Sequence, residues 1–437
     1  MKVHLRTLGC RLNQSEIETM ARQFVMAGHE VVDSPEQADR IIVNTCAVTQ
    51  DASHTSRKLV RQMHSASPEA QITVTGCYSQ IAPNEIAVLP GVESIVSNQD
   101  KDLLAARLTG KPIEFFDREP IERGAPNWAG RTRAFVKVQD GCDNACTFCV
   151  TTVARGEGRS RSVERVLSEI RNLLTIGYQE IVLTGVHLGS YGHDFGDKRG
   201  LFHLVKAILS DTDARRVRLS SLEPWDLDAD FFTLWDDSRL CPHLHLPLQS
   251  GCDSTLRRMA RRTNQRQFAE LVRLAREAVE MPCITTDIIA GFPGETDAEF
   301  EQSFAFVEAL DFAGMHVFRY SRRPGTAAAR MRGHVDEAIK KERSARYLAL
   351  AQEQEAAYAR KFAGQALEVL WEHVAGSTED GFINVGYTAN YIRTACIHPR
   401  PLTNSLLPVQ MDTWNTAKQY MLATPAFEQL LNNEDRE

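Results

Sequence analysis

The run Cys142-Asp143-Asn144-Ala145-Cys146-Thr147-Phe148-Cys149 constrains this chain more than any other feature. Three thiolates at this spacing can take three corners of a 4Fe-4S cluster, which ordinarily has four cysteine ligands. The remaining iron then keeps an open position, as the metal of a catalytic site does. Such a loop belongs at the carboxyl end of a strand, and a strand pattern over residues 133–139 ends just before it. A zinc knuckle, a disulfide and an inert buried cluster are the competing readings of the same cysteines.

A chain of 437 residues with 43% hydrophobic and 24% charged residues fits two to four globular domains with sizeable cores. No stretch approaches eighteen uninterrupted apolar residues, so no membrane association is expected. The residues before Cys10 are too few and too polar for a secretory signal, and a cytoplasmic location is the expectation. Thiols stay reduced there, so ten cysteines point to metal rather than to disulfides. A net charge of −7 argues on its face against nucleic acid, but the arginines are clustered. Arg257, Arg258, Arg261, Arg262 and Arg266 form one acid-free run, and Arg319, Arg322, Arg323, Arg330 and Arg332 form another. Arg155, Arg159, Arg161 and Arg165 follow the cysteine loop. One run alone reads as a solvated face; three near loops that carry chemistry read as a phosphate-binding surface.

Residues 1–125 alternate strand and helix patterns, which implies a parallel sheet. Cys10, Cys46 and Cys77 each fall just past one of its strands. The carboxyl ends of parallel strands share one edge, so three cysteines distant in sequence are expected at one site. A second three-cysteine iron-sulfur cluster is the reading of that pattern. Residues 126–357 repeat strand-then-helix six times, the pattern of a partial, open (βα)6 barrel with functional groups on the loops after its strands. A charged helical linker follows, and residues 358–425 then predict a small β-barrel. Residues 426–437 are expected to be a disordered tail. The fold class is α/β with a β-barrel appended.

Further motifs surround the two triads: Thr7-Leu8-Gly9-Cys10-Arg11-Leu12-Asn13-Gln14, Asn44-Thr45-Cys46, Thr75-Gly76-Cys77, Arg155-Gly156, Pro247-Leu248-Gln249-Ser250-Gly251, Gly291-Phe292-Pro293-Gly294-Glu295 and Pro324-Gly325-Thr326. With them, nearly the whole chain resembles the radical S-adenosylmethionine (SAM) methylthiotransferase family. The resemblance implies an N-terminal cluster domain, a radical SAM core and a C-terminal TRAM domain, a β-barrel associated with RNA binding. It implies two 4Fe-4S clusters. The cluster on Cys142, Cys146 and Cys149 would bind SAM and cleave it to a 5′-deoxyadenosyl radical. The cluster on Cys10, Cys46 and Cys77 would carry the sulfur to be donated. tRNA is the implied substrate, with a reductant protein such as flavodoxin or ferredoxin as electron donor. Cys10–Gln14 and Leu219-Ser220-Ser221-Leu222-Glu223-Pro224 are most similar to the branch acting on N6-threonylcarbamoyladenosine at tRNA position 37. The alternatives are methylthiolation of N6-isopentenyladenosine in tRNA and a non-catalytic iron-sulfur RNA-binding protein.

By the same resemblance, SAM contacts fall on Thr184, Gly185, Glu223, Gln249, Ser250 and Gly291. No catalytic residue beyond the cluster ligands is assigned. Arg257, Arg258, Arg261 and Arg262 are expected RNA contacts, and Tyr391 and Arg393 offer a stacking ring and a cation on the last barrel. Arg261 has a second reading, as partner of the SAM carboxylate, because it is close in sequence to Gln249. His187, His243 and His245 are read as core or loop histidines, and Cys241, Cys252, Cys283 and Cys396 as structural thiols.

Overall fold

The computed structural model describes residues 1–116 and 132–426. The first unit is a parallel sheet of β1 (Lys2–Thr7), β2 (Glu30–Val31), β3 (Arg40–Thr45), β4 (Gln71–Gly76) and β5 (Val92–Ile95), in the order β2-β1-β3-β4-β5. Helix α1 (Arg11–Met26) lays Ile17, Met20, Ala21 and Phe24 against Val3, Leu5 and Ile42 on one face. Helix α2 (Gln50–Ala66) covers the other face, with Leu59, Val60 and Met63 on Ile41, Val43 and Val74. Covered on both sides, the central strand β3 carries a continuous apolar run, Ile41-Ile42-Val43, while β1 and β4 keep an alternation whose polar members are also largely buried.

The second unit holds β6 (Arg133–Lys137), the short antiparallel pair β7 (Gln139–Asp140) and β8 (Arg159–Ser160), then β9 (Glu180–Thr184), β10 (Arg216–Leu219), β11 (His243–His245), β12 (Cys283–Ala290) and β13 (Gly314–Arg319). β10-β9-β6 and β11-β12-β13 are two parallel sheets, and the bridges Val217–Leu240 and Ser221–His245 join them edge to edge. The six long strands thus follow one another around an open half-barrel, as the strand-helix repeat predicts. Its helices are conventionally punctuated: Ser162 caps Val163–Ile176, which stops at Gly177, and Thr296 with Glu299 forms a capping box on Asp297–Ala309.

The stretch expected as a charged helical linker is helical, Glu337–Arg360, but it packs as part of the fold rather than linking two units. Tyr347, Leu350 and Ala351 bury against the half-barrel, while its inward charges are paired, Lys340 with Glu337 and Arg343 with Glu295. Paired charges hide an apolar face from a reading of sequence alone. The last unit is a closed barrel, β14 (Ala366–Thr378), β15 (Gly381–Thr388), β16 (Arg393–His398), β17 (Leu406–Asn415) and β18 (Tyr420–Pro425), ordered β14-β15-β16-β18-β17. Trp371 is fully buried inside it, and register shifts beside Trp371 and Val374 bend β14 for closure. The boundary expected at residues 125/126 and the tail expected at 426–437, except Ala426, lie outside the described residues. No described helix is long and apolar enough to cross a membrane.

Candidate functional site

β1, β3 and β4 are neighbours, so the residues that follow them gather at one sheet edge. Cys10, Cys46 and Cys77 are those residues. Gly9 sits at φ 99°, and a Cβ there would come within 2.5 Å of Cys46 Sγ, so only glycine leaves the thiol its place. Burial pushes the Cys46 thiol up to about 11, and Cys10 and Cys77 add to the effect. A buried thiol of this kind ionises when a metal supplies positive charge beside it. The Val48 N–H donates to Cys46 Sγ at 3.5 Å, and Asn98 Nδ2 approaches Cys77 Sγ at 4.0 Å. All ten cysteines are free thiols, and none outside the two triads follows a ligand spacing.

The second triad lies in the loop between β7 and β8. Gly141, at φ 74°, opens the loop where any side chain would run into the Glu157 carbonyl. The Asn144 N–H donates to Cys142 Sγ at 3.4 Å, the Thr151 N–H to Cys149 Sγ at 3.4 Å, and Arg261 Nη1 to Cys146 Sγ at 3.7 Å. Three sulfurs with three separate donors fit a cluster held through three thiolates. When bound there, a 4Fe-4S cluster supplies the electron that cleaves SAM. His187, read from sequence as a core or loop residue, belongs to this neighbourhood: it meets Asn144 at 3.2 Å and Asp226 at 2.5 Å. Burial would lower its pKa, but Asp226 and Cys142 raise it to about 10.

Each arginine run contributes one buried member to the cysteine loops. Arg155 reaches Glu16 at 2.8 Å, Asp140 at 2.8 Å and Asn13 at 2.7 Å. Asn13 in turn donates to the carbonyls of Leu8 and Thr45, which fixes the Cys10 loop against the Cys46 loop. Arg323 donates to the carbonyls of Ala47, at 2.8 Å, and Val48, just past Cys46. Arg261 pairs with Glu223 at 2.6 Å and stacks over Trp225 at 4.6 Å. Arg261 is 8% exposed and engaged by Glu223, Cys146 and the Pro247 carbonyl, so it is not presented to a phosphate at the surface. Arg258 is likewise engaged, with both Glu299 oxygens at 2.7 and 2.9 Å. Arg257 and Arg262 remain exposed.

A cavity of about 180 Å³ lies between the two loops, lined by Val48, Thr49, Phe148, Gln249, Asp287 and Tyr320, among others. Tyr320 is 4% exposed, and its hydroxyl has no partner among the described residues. An orphaned buried hydroxyl in a cavity wall suits a ligand. Gln249 adopts φ 74° at the carboxyl end of the half-barrel, and Glu223 and Thr184-Gly185 end neighbouring strands there. Ser250 and Gly291 make their contacts within the fold. Ser250 meets Ser303 at 3.4 Å in a buried pair, and Gly291 lies directly under Lys340 with its N–H on Glu295 at 2.9 Å.

Tyr391 is also reassigned. Its ring stacks on His243 at 4.6 Å and on Tyr387 at 4.9 Å, and its hydroxyl accepts from Arg11 at 3.0 Å and Arg133 at 3.2 Å. With these partners it joins the three units and has no face for a base. Burial pushes its pKa up, but Arg11, Arg133 and Arg218 hold it below the ordinary value. Arg393 lies on the outside of the barrel, donating to the Lys418 carbonyl at 3.2 Å and placed 5.7 Å from the Tyr420 ring.

Two family models match the chain: an uncharacterized protein family, UPF0004, over residues 2–97, and the Radical SAM superfamily over residues 136–307. The threonylcarbamoyladenosine tRNA methylthiotransferase of Bacillus subtilis is 38% identical over 90% of this chain and 89% of its own. This chain belongs to the radical SAM methylthiotransferase family. As in that family, its cofactors are SAM and 4Fe-4S clusters. A second methylthiotransferase relative, the tRNA-2-methylthio-N(6)-dimethylallyladenosine synthase of Geobacillus thermodenitrificans, is 32% identical over 98% of this chain and 84% of its own. Among solved structures, the radical SAM methyltransferase TsrM of Kitasatospora setae superposes with a TM-score of 0.57 at 16% identity. It covers 75% of this chain and 77% of that one, a likeness of fold.

Proposed function

We propose that this methylthiotransferase acts on tRNA and installs a methylthio group at carbon 2 of N6-threonylcarbamoyladenosine at position 37. The carbon–hydrogen bond at that position is too inert for acid–base activation, so the cofactor supplies a radical and the protein orients the partners. The observation that carries the reading is one cavity bordered by both cysteine loops. Phe148, within the Cys142 loop, and Val48-Thr49, after Cys46, form parts of its wall. The six cysteines are the proposed cluster ligands. Thr184, Gly185, Glu223 and Gln249, with Arg261, are the proposed SAM contacts. Arg257, Arg262 and Arg393 are left to meet phosphate, and a flavodoxin- or ferredoxin-like protein is the proposed reductant.

The threonylcarbamoyl branch is supported by the similarity to the Bacillus subtilis relative and by the hydrogen-bonding side chains set among the apolar Val48, Phe148, Ile289 and Phe318 in the cavity wall. Of Asn13-Gln14 and Leu222-Glu223, which suggested this branch in the sequence, Asn13 and Leu222 are buried at 1% and 0% exposure and Glu223 is paired with Arg261. Thr49, Gln249, Ser321 and Arg319 line the cavity instead, and Arg319 is half exposed there. A site built to hydrogen-bond a polar group rejects the analogue lacking it far more strongly than an apolar site rejects an added group. In one anaerobic assay with two purified tRNAs, threonylcarbamoyladenosine tRNA is expected to be methylthiolated and isopentenyladenosine tRNA to remain largely unmodified. Preferential turnover of the isopentenyl substrate would move the enzyme to the other branch and leave the reaction class intact.

A further inference from the structure

We propose a divalent transition-metal site on His245, Asp287 and His316, separate from both cysteine triads. The three residues lie on the adjacent strands β11, β12 and β13. Asp287 and His316 are direct cross-strand partners, and His245 pairs with Thr285, two residues before Asp287 and therefore on the same face. His316 Nδ1 lies 3.1 Å from Asp287 Oδ1, and His245 Nε2 lies 3.3 Å from it. One ligand atom from each residue falls within 4.8 Å of the others. A tetrahedral zinc with bonds of about 2.0–2.2 Å sets its ligand atoms about 3.3–3.6 Å apart. Two of the three separations are already close to that value. His316, 65% exposed, has room to turn and close the third.

The surroundings prepare one of the ligands. Thr285 Oγ1 lies 2.9 Å from His245 Nδ1 and 3.4 Å from His243 Nε2. A hydroxyl has a single proton. When Thr285 donates it to the buried His243, it accepts the Nδ1–H of His245, which leaves Nε2 bare and facing Asp287. Fixing a ligand's tautomer through its other ring nitrogen is how metal-binding histidines are commonly held. Two imidazoles and one carboxylate, without thiolate, suit zinc and the neighbouring first-row divalent ions. Three protein ligands leave a position open. Asp287 also lines the cavity with Gln249 and Phe148, so the open position takes an oxygen donor, water or a carboxylate, on that side.

The test uses the full-length protein with its clusters reconstituted anaerobically. It is exposed to zinc chloride, desalted, and measured for zinc and iron by mass spectrometry and for zinc ligation by X-ray absorption. The expected result is about one zinc per chain with a nitrogen and oxygen shell. Asp287→Asn and His316→Gln should each lower retained zinc roughly tenfold or more, with iron and visible cluster absorption unchanged. Because His316 is largely exposed, its variant keeps the fold and decides the matter if Asp287→Asn does not. A wild type that retains no zinc, a sulfur shell around the zinc, or a His316→Gln protein that retains as much as the wild type would each overturn the site.

Discussion

Arg261 and Arg262 are adjacent in sequence and occupy opposite environments. Arg261 is buried between Cys146 and Glu223, while Arg262 is exposed, 5.8 Å from the Trp225 ring. Replacing Arg257 and Arg262 with Glu is therefore expected to flatten the salt dependence of tRNA binding, by about 0.9 in the logarithmic slope for each duplex phosphate no longer neutralised. Arg261→Gln should leave that slope unchanged and instead raise the SAM concentration needed for cleavage to 5′-deoxyadenosine; the reverse pattern would return Arg261 to the RNA surface. The placement of the six cysteines was legible because spacing within a loop and strand ends are local signals. The fate of each arginine was not, because burial is decided by Glu223, Glu16 or a carbonyl far away in sequence. Glu299 shows the same rule with a pH consequence. Hydrogen bonds from Arg258 are the largest cause of its depressed pKa, about 2 against an ordinary 4.5. Its stabilisation is complete above about pH 4.5 and is lost as pH falls towards 2. With screening allowed for, Glu299→Gln should remove about 1 kcal/mol at neutral pH and part of the acid-induced loss of stability in denaturation curves.

Helix α1 is the element that turns two separate sheets into one site. Its first residues follow Cys10, its apolar stripe packs on β1 and β3, and its Glu16 receives Arg155 from the loop region after Cys149. Lys101 joins Glu16 at 2.7 Å, with both side chains 1% exposed. The stripe Ile17, Met20, Ala21 and Phe24 was readable from sequence as a 3.6-residue period. The buried Glu16 at the edge of that stripe, one turn before Met20, was not, since an acid in a helix ordinarily reads as solvent-facing. Arg155→Ala should cost about 3 kcal/mol, because it removes the buried guanidinium shared by Glu16 and Asp140 and leaves Glu16 to Lys101 and Asp140 to the more distant Lys137, at 3.7 Å. Arg155→Lys should restore only part, since an ammonium cannot span Glu16, Asp140 and Asn13 as the guanidinium fork does. Urea denaturation of the cluster-loaded protein measures both. Wild-type stability in Arg155→Ala would show that the two cysteine loops are held by other contacts.

The whole molecule is three units tied at named points. Arg216 donates to the carbonyls of Glu368 and Tyr387 at 2.7 and 3.1 Å, Arg133 pairs with Glu372 at 2.5 Å, and Tyr391 bridges Arg11 to Arg133. The order of units and the six half-barrel strands were readable from alternating periods. Their mutual placement was not, because it rests on contacts between residues hundreds of positions apart. That placement brings both cysteine loops to the border of one cavity, and it makes the iron content a test of the architecture. Anaerobic reconstitution should load about eight irons, two clusters of four. Replacing Cys142, Cys146 and Cys149 together with Ala should leave about half, since the other triad is built on β1, β3 and β4 and does not need them. Replacing Cys10, Cys46 and Cys77 should also leave about half, but with a different remaining activity. Reductive cleavage of SAM should persist in that second variant while methylthio transfer is lost, and both activities should vanish in the first. A first variant that stays folded yet holds no iron, or a second that still forms the methylthio product, would show that the two loops do not work as separate cluster sites.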